Sequence, residues 1–94
     1  MSRMYIKSLT LSSNGLNVDA ALANPGIEIT GMNVAETEVS TDVSFTTNQK
    51  PGFWAQTLVK KSIVVPLSGS AMQGPRAIRV HVDGALAETL RVGS

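Results

Sequence analysis

Glu36-Thr37-Glu38-Val39-Ser40-Thr41-Asp42-Val43-Ser44-Phe45-Thr46-Thr47 alternates without a break. Thr37, Val39, Thr41, Val43, Phe45 and Thr47 form one series, apolar or methyl-bearing. Glu36, Glu38, Ser40, Asp42, Ser44 and Thr46 form the other, wholly polar. Successive side chains of a strand point to opposite faces, so this stretch has one face for a core and one for water. Wound as a helix, the same residues would scatter their few apolar groups around the axis. The stretch predicts a half-buried β-strand, and period two is the rule for reading its neighbours.

On the N-terminal side, residues 4–13 predict a strand that ends at Asn14-Gly15, two residues that tolerate positive φ. A two-residue turn there sets Ser13 opposite Leu16, Leu11 opposite Val18 and Leu9 opposite Ala20, apolar against apolar. Asn24-Pro25-Gly26 marks a second turn. Ile27 and Ile29 open a third strand, which Gly31 interrupts as a bulge. On the C-terminal side, Asn48-Gln49-Lys50-Pro51-Gly52 reads as a loop, followed at once by Phe53 and Trp54. Residues 56–65 predict a strand that ends at Pro66 or lies on an edge, since proline lacks an amide donor. Residues 68–75 form a Gly-rich loop. Residues 76–83 alternate again, with Ile78, Val80 and Val82 on one face and Arg79, His81 and Asp83 on the other.

The C-terminus allows two structures. A three-residue loop, Asp83-Gly84-Ala85, pairs Val82 with Leu86 and Ile78 with Leu90 in a last strand, whereas a strict two-residue turn puts both leucines on the polar face. Alternatively, Asp83 caps a short helix over 85–92 that ends at Gly93. Period two upstream favours the strand.

Composition agrees with this pattern. Val, Ile and Thr supply 23 of the 94 residues, and β-branched side chains suit a pleated surface. The length predicts one domain, residues 1–94, with a thin core. The expected fold is a single all-β domain, a compact antiparallel β-sandwich or barrel of six to eight strands. With no cysteine and one histidine, a disulfide scaffold and a cysteine-ligated metal are excluded. No apolar run approaches the ~20 residues of a membrane helix, so no membrane partner is expected. Met1-Ser2-Arg3-Met4-Tyr5 carries no signal-peptide pattern, so synthesis in a cytoplasm is expected. Residues 1–47 hold two basic and five acidic side chains, and residues 48–94 hold six basic and two acidic. The formal charge of +1 thus hides two opposed halves, which either pair internally or favour head-to-tail contacts between copies.

Reactive chemistry is sparse. His81 and Asp83 share a strand face, which could orient a base for a serine, but that face is solvated and no Gly-x-Ser-x-Gly turn exists. Glu36, Glu38 and Asp42 share another face, yet same-face neighbours stand ~7 Å apart and cannot all reach one ion. No phosphate cradle is present. No catalytic residue, metal or cofactor is expected, and the chain reads as a non-enzyme. Phe53 and Trp54 lie between Lys50 and Lys60-Lys61. Three readings stand: one ring enters the core while the other caps its end, the pair stacks a single-stranded nucleic acid or a sugar, or the pair anchors a protein interface. Nucleic acid is disfavoured by the small number of basic residues. The loop carrying Met72 and the N-terminal segment carrying Tyr5 are either plain connectors or arms that order on a neighbour. The candidate interface is therefore Tyr5, Lys50, Phe53, Trp54, Lys60, Lys61 and Met72.

A chain without cysteine, rich in Ser, Thr, Val, Ala and Gly, alternates through Thr37 to Thr47 and closes on Arg79-Val80-His81-Val82-Asp83-Gly84. In this it resembles small all-β virion proteins of tailed bacteriophages, the head decoration (capsid cement) type. The late segment looks like a hairpin of an immunoglobulin-like or jelly-roll domain. The paired cysteines of immunoglobulin domains are missing, and Trp54 matches no core tryptophan, so no functional residue carries over. The resemblance implies a virion component that binds between shell subunits, with the major capsid or another virion protein as partner. It also implies a homo-oligomer, often a trimer, made in a host cytoplasm. The alternative is a small β-module that takes a ligand through the Phe53/Trp54 loop.

Overall fold

The computed structural model describes residues 3–37, 39–67 and 76–92, and among these β-branched runs and short polar turns mark out seven strands. They are β1 (Met4–Ser12), β2 (Gly15–Leu22), β3 (Ile27–Glu36), β4 (Ser40–Gln49), β5 (Val59–Val65), β6 (Arg76–Val82) and β7 (Ala85–Val92). One sheet has the order β1-β2-β5, and the other β3-β4-β6-β7. The two sheets pack as a β-sandwich, not a closed barrel. All pairings are antiparallel except β4 with β6. Parallel neighbours need a crossover, and here it runs through β5 in the opposite sheet. The sheets are thus mostly antiparallel, as expected, with β4·β6 the one parallel pair among the described residues.

The core lies between the sheets. Leu16, Val18 and Leu22 of β2 meet Val43 and Phe45 of β4 and Ile78 and Val80 of β6, closed by Met4, Ile27 and Val65. Burying each such side chain contributes roughly 1.5–3 kcal/mol. The alternating stretch behaves as its pattern demands from Ser40 onward: Thr41, Val43, Phe45 and Thr47 are all buried. The strand does not extend back to Glu36, however. Glu36 ends β3 opposite Thr41, and Val39 is 71% exposed. Thr37 turns the chain. Its amide donates to Ser40 O at 2.8 Å, and its hydroxyl accepts from the Ser40 amide at 3.0 Å. A threonine hydroxyl offers such a local bond at a strand end. Glu38 lies outside the described residues.

Two hairpins differ in register from the sequence-based expectation. In β1·β2 the turn is Ser13-Asn14, with Ser12 opposite Gly15, Leu11 opposite Leu16 and Leu9 opposite Val18. The inward faces are those expected, but the turn sits one residue earlier, so the partner of each β1 residue lies two residues nearer the N-terminus of β2. The cause is Gly15. Its φ is +128°, and a Cβ there would overlap the backbone oxygen of Val65, so this glycine serves the β2·β5 approach instead of the turn. In β6·β7 the turn is the strict two-residue kind, Asp83 (φ 49°) and Gly84 (φ 87°), not the three-residue loop. Val82 faces Ala85 and His81 faces Leu86, and then a bulge at Ala87 restores Ile78 opposite Leu90. The bulge resolves the conflict between turn and pattern: Leu86 stays 57% exposed, while Leu90 packs against the core. Residues 85–92 form a strand, not the alternative helix. The expected interruption near Gly31 is present as a bulge at Thr30. The strand expected from 56 begins at Val59.

Candidate interaction surface

The Phe53/Trp54 loop is held from beneath by the β2–β3 turn. Asn24 Oδ1 accepts from the Gly26 amide at 2.9 Å, the local bond that makes Asn a turn residue. The Asn24 side-chain amide also exchanges two hydrogen bonds with that of Gln49, at 3.0 and 3.1 Å. The Lys50 amide donates to Gly26 O at 2.8 Å. This lattice fixes Gly26 beside the end of β4, and Trp54 lies on it. A Cβ on Gly26 would sit 2.5 Å from Trp54 Cδ2 and overlap Nε1 and Cε2. The indole Nε1 donates to Lys50 O at 3.0 Å. Glycine is required here for close approach of the ring.

Neither ring enters the core, which corrects the expectation that one would. Phe45 is the core aromatic. Trp54 is a half-buried clasp, 37% exposed, while Phe53 beside it is 107% exposed. Leu58, at the far end of the same loop, is 57% exposed. One face of the indole is occupied by Gly26, so Phe53 alone offers a fully open ring, less than a two-ring stacking platform needs. Lys50 Nζ stands 3.7 Å from Glu28, an exposed pair of little energetic weight.

The remaining candidates flank this loop. Leu22 of β2 pairs with Met4 on one side and Val59 on the other, so β1 and β5 start at the loop's end of the sandwich. Tyr5 and Lys60 both pair with Ala21, on the outer face of the three-stranded sheet. Tyr5 is 42% exposed. Lys61 pairs with buried Ala20 and so occupies an inward position of β5, yet it is exposed. Lys50, Phe53 and Trp54 thus form one cluster, and Tyr5, Lys60 and Lys61 a second beside it. Met72 lies outside the described residues. Sequence reasoning missed Gly26, Leu58 and Lys7. The bulge in β1 falls at Lys7 and adds its side chain to the outer face beside Ser8. Lys7, Ser8, Asp19, Lys60, Lys61 and Ser62 line a shallow depression of about 470 Å³ there.

The polar groups singled out for reactivity are engaged structurally. His81 does not pair with Asp83. Its Nε2 lies 3.1 Å from Asp42 Oδ1, where Arg79 Nε also donates at 2.8 Å. These contacts, that with His81 foremost, hold the Asp42 carboxyl below its ordinary range. Asp83 turns the other way. It accepts from the Thr47 hydroxyl at 2.6 Å and the Thr47 amide at 2.8 Å, which lowers its pKa. Asp42 ties β4 to β6, and Asp83 ties the β6–β7 turn to the end of β4. Glu36 and Asp42 stand on different strands, and no group of three or more His, Asp or Glu converges among the described residues. The chain matches no family model, no curated protein and no solved structure.

Proposed function

We propose that this domain is a non-enzymatic interaction protein that docks on a protein assembly through the loop tip bearing Phe53 and Leu58. The finer reading is a virion component that decorates a capsid, sits between shell subunits as a homo-oligomer, and strengthens the shell. The observation that carries the docking role is the full exposure of Phe53 on a loop whose neighbour, Trp54, is clasped to Gly26 and Lys50. A large ring presented on a fixed support buries much area on binding and has little conformational entropy left to lose. The same ring left in water has no purpose in stabilising a thin-cored fold. The compositional resemblance to head decoration proteins supports the finer reading, and repeated copies on a lattice turn weak contacts into avidity.

Native mass in lysate from the source tests the proposal, by sedimentation and immunoblot. The wild-type chain is expected in a megadalton fraction. Phe53→Ser is expected to remain folded and to shift to a low-mass fraction. Recovery of the wild type at monomer mass, or retention of Phe53→Ser in the large fraction, overturns it.

A further inference from the structure

The loop that carries Phe53 runs directly into β5, and β5 is an edge. Among the described residues it pairs with β2 alone. An unpaired edge offers a row of amides and carbonyls to another strand. This edge has a distinct chemistry. Lys60 and Lys61 stand next to each other, so they point to opposite faces of the sheet. Beyond them Ile63 is half-buried and Val64 is 50% exposed. No ion pair among the described residues involves Lys7, Lys60 or Lys61. Lys7, Lys60 and, from its inward position in the strand, Lys61 also line the depression that holds Ser8, Asp19 and Ser62.

A second β5 does not fit this edge. Paired parallel in register, two copies would set lysine opposite lysine, which is destabilising. Paired antiparallel about Ser62, they would set each lysine opposite Ile63 or Val64. A strand with two consecutive acidic residues does fit. One carboxylate would meet Lys61 on the inward side. The other would meet Lys60 on the outward side, where Lys7 and the Ser62 hydroxyl also line the depression; the Ser8 hydroxyl there already donates to Asp19 Oδ2 at 3.1 Å, and the three lysines outnumber that one carboxylate. Apolar residues three and four positions further on would cover Ile63 and Val64.

We propose that β5 accepts an extended acidic segment of a partner protein as an added strand, with consecutive carboxylates paired to Lys60 and Lys61 and one of them reaching the Lys7 depression. This specifies the partner chemistry for the interaction surface proposed above and rests on that reading. Strand addition supplies main-chain hydrogen bonds for affinity, while the alternate side chains set specificity.

The test uses the intact chain and a capped peptide, Thr-Val-Val-Ser-Glu-Glu-Val, which laid antiparallel sets its glutamates opposite Lys61 and Lys60 and its two adjacent valines opposite Val64 and Ile63, with a Lys-Lys version as control. Binding is followed by amide chemical shifts and hydrogen exchange. The acidic peptide is expected to bind at least tenfold tighter than the control and to slow exchange at amides in 59–65. Lys60→Glu combined with Lys61→Glu is expected to invert the preference; both positions are exposed, so the variant folds. Equal binding of the two peptides, or protection that maps away from β5, overturns the proposal. Phe53→Ser separates the two readings: it is expected to keep peptide binding while it loses the megadalton assembly. A wild-type chain that assembles but ignores the acidic peptide refutes the strand addition and leaves the Phe53 contact standing.

Discussion

Gly26→Ala tests whether Trp54 is a clasp. The glycine has no positive φ, so alanine adds no backbone strain, and its whole cost comes from the methyl group. That methyl would stand 2.5 Å from Trp54 Cδ2 and closer to two other ring atoms. Carbon atoms pack at ~3.5–4.0 Å, so the ring must retreat by about 1 Å or more. A retreat of that size breaks the 3.0 Å bond from Nε1 to Lys50 O, a loss of ~0.5–1.5 kcal/mol. It also re-exposes part of the indole. Some 40 Å² returned to water adds ~1 kcal/mol. The expected destabilisation is ~2 kcal/mol, a sizeable share of the ~5–14 kcal/mol expected for a domain of this length. Trp54→Ala removes the same bond and the same packing, so the two changes are not independent. In the Trp54→Ala background, Gly26→Ala should cost under ~0.5 kcal/mol. Urea unfolding of the four proteins, read by far-UV circular dichroism since one pair lacks the tryptophan, gives the coupling energy. A coupling near ~2 kcal/mol is expected. Additivity within ~0.5 kcal/mol would refute the clasp.

The other predictions follow from single positions. Gly15→Ala meets the backbone of Val65 at a positive φ, where no side chain can give way. It should cost at least ~2 kcal/mol, and a thermal melt unchanged from wild type would show that β2 and β5 are less closely apposed. Phe53→Ser touches nothing in the fold and should leave stability within ~0.5 kcal/mol of wild type, as a urea midpoint can check. Asp83 and Asp42 both have carboxyls held below their usual 3.8. Each therefore contributes stability above that pH, lost as pH falls through the lower folded-state values. Melting temperature should fall on acidification below about pH 4. Asn tolerates the φ of 49° at position 83, so Asp83→Asn isolates the charge. It should cost ~1 kcal/mol at neutral pH and flatten the acid limb, and an acid limb identical to wild type would assign the effect elsewhere.

The sandwich was legible where one strand has core on one side and water on the other. Val43, Phe45, Ile78 and Val80 alternate because burial demanded it, and no distant contact was needed to read them. Register was less legible. Asn14-Gly15 has the chemistry of a hairpin turn, but Gly15 answers to Val65, a strand far along the chain, and that requirement leaves no local mark. The C-terminal hairpin hid its solution in Ala87, a residue that fits a bulge and a regular strand equally well. The parallel β4·β6 pair was invisible for the same reason: alternation fixes which face is buried, not which strand lies alongside. At the candidate site, the exposure of Lys50, Lys60 and Lys61 could be read from charge. The fate of Trp54 could not. Burial of its ring depends on a missing Cβ at Gly26, and Asn24-Pro25-Gly26 signals a turn without naming what rests on it.

The four sheet edges bear on how such a domain can assemble. β1 is broken by the bulge at Lys7, and β3 by the bulge at Thr30. β7 carries the bulge at Ala87, and its Glu88, exposed, stands opposite inward-facing Val80. β5 is unbulged through its paired length and carries its guard as Lys61. Bulges and inward charges both oppose indiscriminate edge pairing. They differ in one respect. A bulge distorts the ladder for every incoming strand, whereas a lysine opposes only strands that leave its charge unanswered. Of the four edges, β5 is the one whose guard a partner can satisfy. It is also the edge that Phe53 and Leu58 immediately precede. A partner strand laid along β5 would thus run toward the exposed tip, so the main-chain contact and the aromatic contact are two parts of one proposed interface.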